Sequence, residues 1–93
     1  MSVEVRVPAM MRAHVKDQKT VTGDGATVGD VLQDIERQYE GFQDGVFEAD
    51  GELRKFVNIY LNDEDIRYLG RLEAPVQSGD VISILPAVAG GSE

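Results

Sequence analysis

The sequence has 93 residues, 42% of them apolar, with no Cys and no Trp, a length that builds one core and not two. Nine Lys and Arg against 17 Asp and Glu leave a formal charge of -8, which repels phosphate backbones and anionic lipid and leaves proteins as the expected partners, with no nucleic acid and no membrane. The lack of Cys excludes a disulfide framework, a thiolate zinc site, a cysteine-bound iron–sulfur cluster and a cysteine nucleophile together.

In chain order, "VEVRV" sets Val3, Val5 and Val7 against Glu4 and Arg6, the period-two pattern of a half-buried strand, closed by Pro8. A loop carrying Met10, Met11 and His14 leads to "KTVT", β-branched and bounded by "GDG", which reads as the hairpin partner. In "TVGDVLQDIERQYEG" the residues Val28, Val31, Leu32, Ile35 and Tyr39 recur at helical spacing. Thr27 is placed as N-cap, Asp30 near the positive helix end and Gly41 as the stop. Phe42, Val46 and Phe47 are expected to dock an irregular turn on the core. "FVNIYLND" alternates Val57, Ile59 and Leu61 against Phe56, Asn58 and Tyr60, and Asn62-Asp63 turns the chain into "IRYL", read as a further short strand. "GDVISIL" puts Ile82 and Ile84 on one face and Val81, Ser83 and Leu85 on the other, before Pro86 ends regular pairing. A hairpin, one amphipathic helix and more strands form a two-layer α+β unit: a β-grasp, ubiquitin-like mixed sheet of four to five strands packed on one helix. The expected division is a domain over residues 1–85 and a flexible C-terminal tail over 86–93.

Motifs that suggest chemistry have plainer explanations. "GDGATVG" lacks the Gly-Lys-Ser/Thr ending of a phosphate loop and fits a turn into a capped helix. Asp63, Glu64 and Asp65 are adjacent, without the spaced ligands of a calcium loop, and fit an exposed turn. His14 has no second ligand or nucleophile beside it in sequence, so no metal site and no catalytic residue is assigned. Phe56, Tyr60 and Leu85 share the sheet face away from the helix and form a candidate partner surface.

The remaining feature is the ending "PAVAGGSE". From Pro86 through Ala87, Val88, Ala89 and Gly90 to Gly91 an extended tail reaches about 20 Å, and its diglycine end is thin enough for a narrow channel. A carboxyl at Gly91 would be an inert anion at neutral pH, so it has to be activated elsewhere.

The element order, "FVNIYLNDEDIR" and "ILPAVAGG" resemble the ThiS/MoaD family of ubiquitin-like sulfur carriers over essentially the whole chain, and within it the CysO branch of cysteine biosynthesis. The resemblance implies a protein co-substrate and not an enzyme. A ubiquitin-activating-like enzyme would use ATP and Mg to adenylate the Gly91 carboxylate, and sulfur would displace AMP to leave a thiocarboxylate. A CysO-dependent type of cysteine synthase, which carries pyridoxal phosphate, would accept the sulfur, and a JAMM-type zinc peptidase would release the product. This chain would bind none of these cofactors itself.

Ser92 and Glu93 depart from the pattern, in which the diglycine is terminal. Either a peptidase removes them, cutting between Gly91 and Ser92, or they are foreign to the natural chain; a native precursor is the expectation. Delivery to molybdopterin, thiamine, a thiosugar or tRNA stays open, as does conjugation of Gly91 to lysines as a ubiquitin-like modifier. No run approaches the ~18 apolar residues of a membrane helix, so a cytoplasmic monomer is expected.

Overall fold

Val3 and Val5 are fully buried between exposed neighbours along β1 (Ser2–Arg6) in the computed structural model, which describes residues 2–51, 53–54 and 57–86. Antiparallel to it lies β2 (Thr20–Asp24), in a register that pairs Val5 with Val21. The segment between them, expected as a loop, is a 3-10 helix over Ala9–Val15 that starts after the extended Pro8 and buries Met11 and Val15.

The long helix among the described residues, α1 (Val28–Gln38), begins where Thr27 accepts the Asp30 N–H on its hydroxyl at 3.2 Å. It buries Val28, Val31, Leu32 and Ile35 against the sheet. Gly23 in β2 allows this close approach: a Cβ there would lie 2.9 Å from both Ile35 Cγ1 and the Val31 carbonyl. α1 ends at Gln38 with Tyr39 extended, so Gly41 does not stop it; at φ +97° Gly41 instead opens a 3-10 helix over Phe42–Gly45. That turn docks on the core, with Phe42 and Val46 fully buried and Phe47 half-buried.

The Glu36 carboxylate ties this turn to α1, accepting the Gln43 N–H at 2.8 Å and the Gly41 N–H at 3.0 Å. Those two backbone donors, Gln43 first, hold its carboxyl below the ordinary Glu value. A carboxylate depressed in the folded state stabilises fully above its unfolded value, and that contribution is lost as pH falls through the folded one. Glu36→Gln is therefore expected to lower stability at pH 7 and to flatten the decline between about pH 5 and pH 3. Urea unfolding at a series of pH values measures this, and parallel curves for the two proteins would contradict it.

β3 (Val57–Leu61) buries Val57, Ile59 and Leu61 and reverses through Asn62 and Asp63, both at positive φ, into β4 (Glu64–Asp65). Here the structure corrects the sequence reading: "IRYL" is not a strand. The Asp65 side chain accepts the Arg67 N–H at 2.9 Å and winds Ile66–Tyr68 into a 3-10 helix. After another 3-10 helix over Arg71–Glu73 comes β5 (Val81–Pro86). The sheet order is β2-β1-β5-β3-β4, with β5 parallel to β1 and antiparallel to β3. This is the mixed five-stranded β-grasp sheet with α1 across one face.

Both long edges of β2 are occupied. β1 takes one, and on the other Gln38 Nε2 donates to the Thr22 carbonyl at 2.9 Å while Asp34 Oδ2 accepts the Asp24 N–H at 3.0 Å. Helix side chains thus satisfy backbone groups that would otherwise invite another strand.

Candidate functional site

The last described residues of the chain lie on the central strand. β5 lies between β1 and β3, and its last residue, Pro86, faces Val57. Pro86 was expected as the first tail residue; it is the last strand residue. It fits because the Asn62 N–H donates to the Val81 carbonyl at 2.9 Å, so that in the alternating antiparallel register Val57–Pro86 is a non-hydrogen-bonded pair and no N–H is required of residue 86. The other expected tail positions, Ala87, Val88, Ala89, Gly90, Gly91 and Ser92, lie outside the described residues.

Around this exit the outer sheet face has the composition that alternation implies. Tyr60 stands directly opposite Ser83, and Asn58 opposite Leu85, which makes Tyr60 and Leu85 diagonal neighbours. Leu85 is 45% exposed and Tyr60 is half-buried, while Ile82 and Ile84 on the inner face are at most 1% exposed. Tyr60 and Leu85 are therefore brought together, as expected; Phe56, the third predicted member, lies outside the described residues.

Three basic residues at this end escape sequence reading. Arg6 on β1, Arg12 on the first 3-10 helix and Lys19 just before β2 line one open cavity of about 470 Å³ together with Leu85. Their sequence positions give no hint of a group; only the fold gathers them. A second cavity, about 600 Å³, opens on the flank of β3 away from β5, beside Ile66, Arg67 and Leu72. Arg67 is already committed there, at 2.7 Å from Asp65, and its guanidinium and N–H hold the Asp65 carboxyl below its ordinary value.

The remaining candidates behave as structural parts. Asp63 and Glu64 are exposed on the β3–β4 turn. At the start of α1 the Val28 N–H goes to the Ala74 carbonyl and the Asp30 N–H to Thr27, so the glycine-rich approach spends these donors on the chain itself. His14 is exposed on the first 3-10 helix. Among the described residues no group of three or more His, Cys, Asp or Glu is placed to hold a metal ion, and no helix is long and apolar enough to cross a membrane.

Residues 5–91 match the ThiS family. The chain is 44% identical over 93 residues to the sulfur carrier protein CysO of Mycobacterium tuberculosis, covering 98% of this chain and all of that one. It is 37% identical over 94 residues to small archaeal modifier protein 3 of Haloferax volcanii, again covering 98% of this chain and 100% of the relative. In structure it matches the crystal structure of the Amycolatopsis orientalis BexX/CysO complex with a TM-score of 0.86 and 43% identity, over 96% of this chain and 99% of that one. With its β-grasp sheet, its outer apolar pair and its diglycine ending, the chain belongs to the ThiS family and is a homologue of the CysO sulfur carrier proteins.

Proposed function

We propose that the chain carries sulfur as a thiocarboxylate on Gly91 and delivers it to a partner enzyme, with cysteine formation as the destination. The observation that carries this reading is the exit of the chain at Pro86 from the centre of the sheet, beside Tyr60 and Leu85. Five further residues place Gly91 about 17 Å beyond Pro86 when extended, enough for the folded body to rest on an enzyme's surface while the terminus reaches inside. The absence of Cys from the sequence supports it as well, since the sulfur then needs a backbone carrier.

The chemistry is supplied by partners. After hydrolysis of the Gly91–Ser92 bond, for which a JAMM-type zinc peptidase is suited, a ubiquitin-activating-like enzyme binds ATP and Mg. A Gly91 carboxylate oxygen attacks the α-phosphorus and pyrophosphate leaves. A sulfide sulfur then adds to the activated carbonyl and AMP leaves, giving the thiocarboxylate. A pyridoxal phosphate-dependent cysteine synthase is the proposed acceptor. This chain's own part is to present the terminus and the surface around it.

The test is intact-mass measurement of protein ending at Gly91 after incubation with such an activating enzyme, ATP, Mg and sulfide. Replacement of one oxygen by sulfur is expected; an unchanged mass with an enzyme active on its own carrier would overturn the proposal. The likeness to an archaeal modifier protein favours a second reading, conjugation of Gly91 to lysines, which would appear as diglycine adducts on target proteins.

The outer face makes a separate prediction. Leu85→Asp is expected to raise the KM of activation by about 5- to 30-fold, the loss of a modest interface contact. The Tm should move by less than about 4 °C, because Leu85 faces away from the core. A large fall in Tm with an unaltered KM would show that Leu85 serves the fold.

A further inference from the structure

We propose that Arg6, Arg12 and Lys19 form a cationic collar at the root of the tail, fitted to a rim of carboxylates around the entrance through which the activating enzyme takes that tail. The inference rests on the carrier reading above and specifies the chemistry of the surface that reads it.

The collar is assembled by the fold and held in place. Arg6 lies beside Ser83 of β5 on one side and Thr20 of β2 on the other. The Val7 N–H donates to the Lys19 carbonyl at 2.8 Å, which fastens Lys19 to the end of β1. Arg12 Nε donates to the Val7 carbonyl at 3.2 Å, so this partly buried side chain has already lost much of its freedom. All three border the same cavity as Leu85, next to the residue from which the tail departs.

The local charge opposes the global one. Acids outnumber bases 17 to 9 over the whole chain, so an average patch is acidic; among the described residues lining this cavity three bases meet one acid, Glu4. Glu4, within 3.3 Å of Arg6, offsets one of the three positive charges as seen from a distance, so the described residues bordering the cavity keep a net charge of +2. An enzyme that draws the tail in comes near this surface, because about 17 Å of extended chain is all that separates Pro86 from Gly91. Carboxylates on its rim would attract the collar and repel the acidic remainder, orienting the carrier tail-first before contact.

The experiment uses carrier ending at Gly91 and its activating enzyme. The combined variant Arg6→Gln, Arg12→Gln, Lys19→Gln is expected to raise the KM for carrier about 10- to 100-fold at low salt, with kcat unchanged and the gap narrowing by about 0.5 M salt. Arg6→Lys with Arg12→Lys should keep most of the wild-type KM, and neutralising Arg37 and Arg71, which lie outside the collar, should change little. Circular dichroism and Tm verify folding. Should the triple variant unfold, the single variants Arg6→Gln and Lys19→Gln, both at exposed positions, give the same reading at smaller amplitude.

An unaltered carrier KM in folded variants, with wild type thiocarboxylated normally, would overturn the collar and leave the carrier function standing. A rise in the KM for ATP alone would also overturn it, assigning the cations to nucleotide phosphates. If wild type is not thiocarboxylated at all, the carrier reading fails and the collar falls with it.

Discussion

The full 93-residue chain, incubated with an activating enzyme, ATP, Mg and sulfide, is expected to keep its mass, while the same chain ending at Gly91 is converted. In the longer protein the Gly91 carbonyl is an amide to Ser92, so there is no carboxylate to attack ATP at that position. In the 93-residue protein used for the test the α-carboxylate is that of Glu93, two residues further along and behind two side chains, which a channel of the proposed width would reject. The difference is therefore between conversion and none, larger than any surface substitution can give. Adding a zinc peptidase that removes Ser92 and Glu93 should restore conversion, since metal-activated water can attack the unhindered Gly–Ser carbonyl. Sulfur incorporation with both residues still attached would defeat the precursor reading.

Phe42→Ala should produce the largest loss of stability among single truncations in the irregular segments. Phe42 heads the largest fully buried side chains, yet it comes from a 3-10 turn and not from a strand or from α1. Truncation removes a fully buried aromatic ring from a turn that packs on α1 and the first 3-10 helix, at a cost of about 3–5 kcal/mol. For a domain this size that corresponds to a fall in Tm on the order of 12 °C or more. Phe47 is only half-buried, so Phe47→Ala should cost clearly less, and urea unfolding of the two variants side by side checks the ranking. Equal, small losses would mean that the turn does not close the core as described.

Much of this architecture is legible in the residues because strict alternation admits one reading. Val3, Val5 and Val7, then Ile82 and Ile84, are all buried, and Thr27 caps α1 as its position implied. Where local chemistry competes with side-chain preference, sequence reading fails. "IRYL" has the β-branched and aromatic content of a strand, but the carboxylate of Asp65 seizes the Arg67 N–H and winds it instead. The Met10–Met11 segment lacks any period-two or long helical pattern, and its 3-10 helix is set by tertiary burial of Met11 and Val15. At the candidate site the face of Tyr60 and Leu85 follows from counting residues along strands. The collar does not, because Arg6, Arg12, Lys19 and Leu85 are neighbours only after β1, the first 3-10 helix, the start of β2 and β5 have packed. Phe56 and residues 87–93 lie outside the described residues, so the tail's role rests on chemistry and likeness.

The position of β5 also decides how the molecule bears a load. Its partners are β1 on one side, parallel, and β3 on the other, antiparallel, so a pull on the tail is directed along two rows of hydrogen bonds that run across the line of force. Such rows resist sliding together, whereas a strand at the sheet's edge pulled sideways would open one bond at a time. Ile82 and Ile84, sunk into the core beneath the same strand, add a second resistance, since sliding β5 would drag both through packed side chains. Forced unfolding is governed by the height of that barrier and not by equilibrium stability. A pull applied at the C-terminal end of β5 would thus meet the sheet as its anchor.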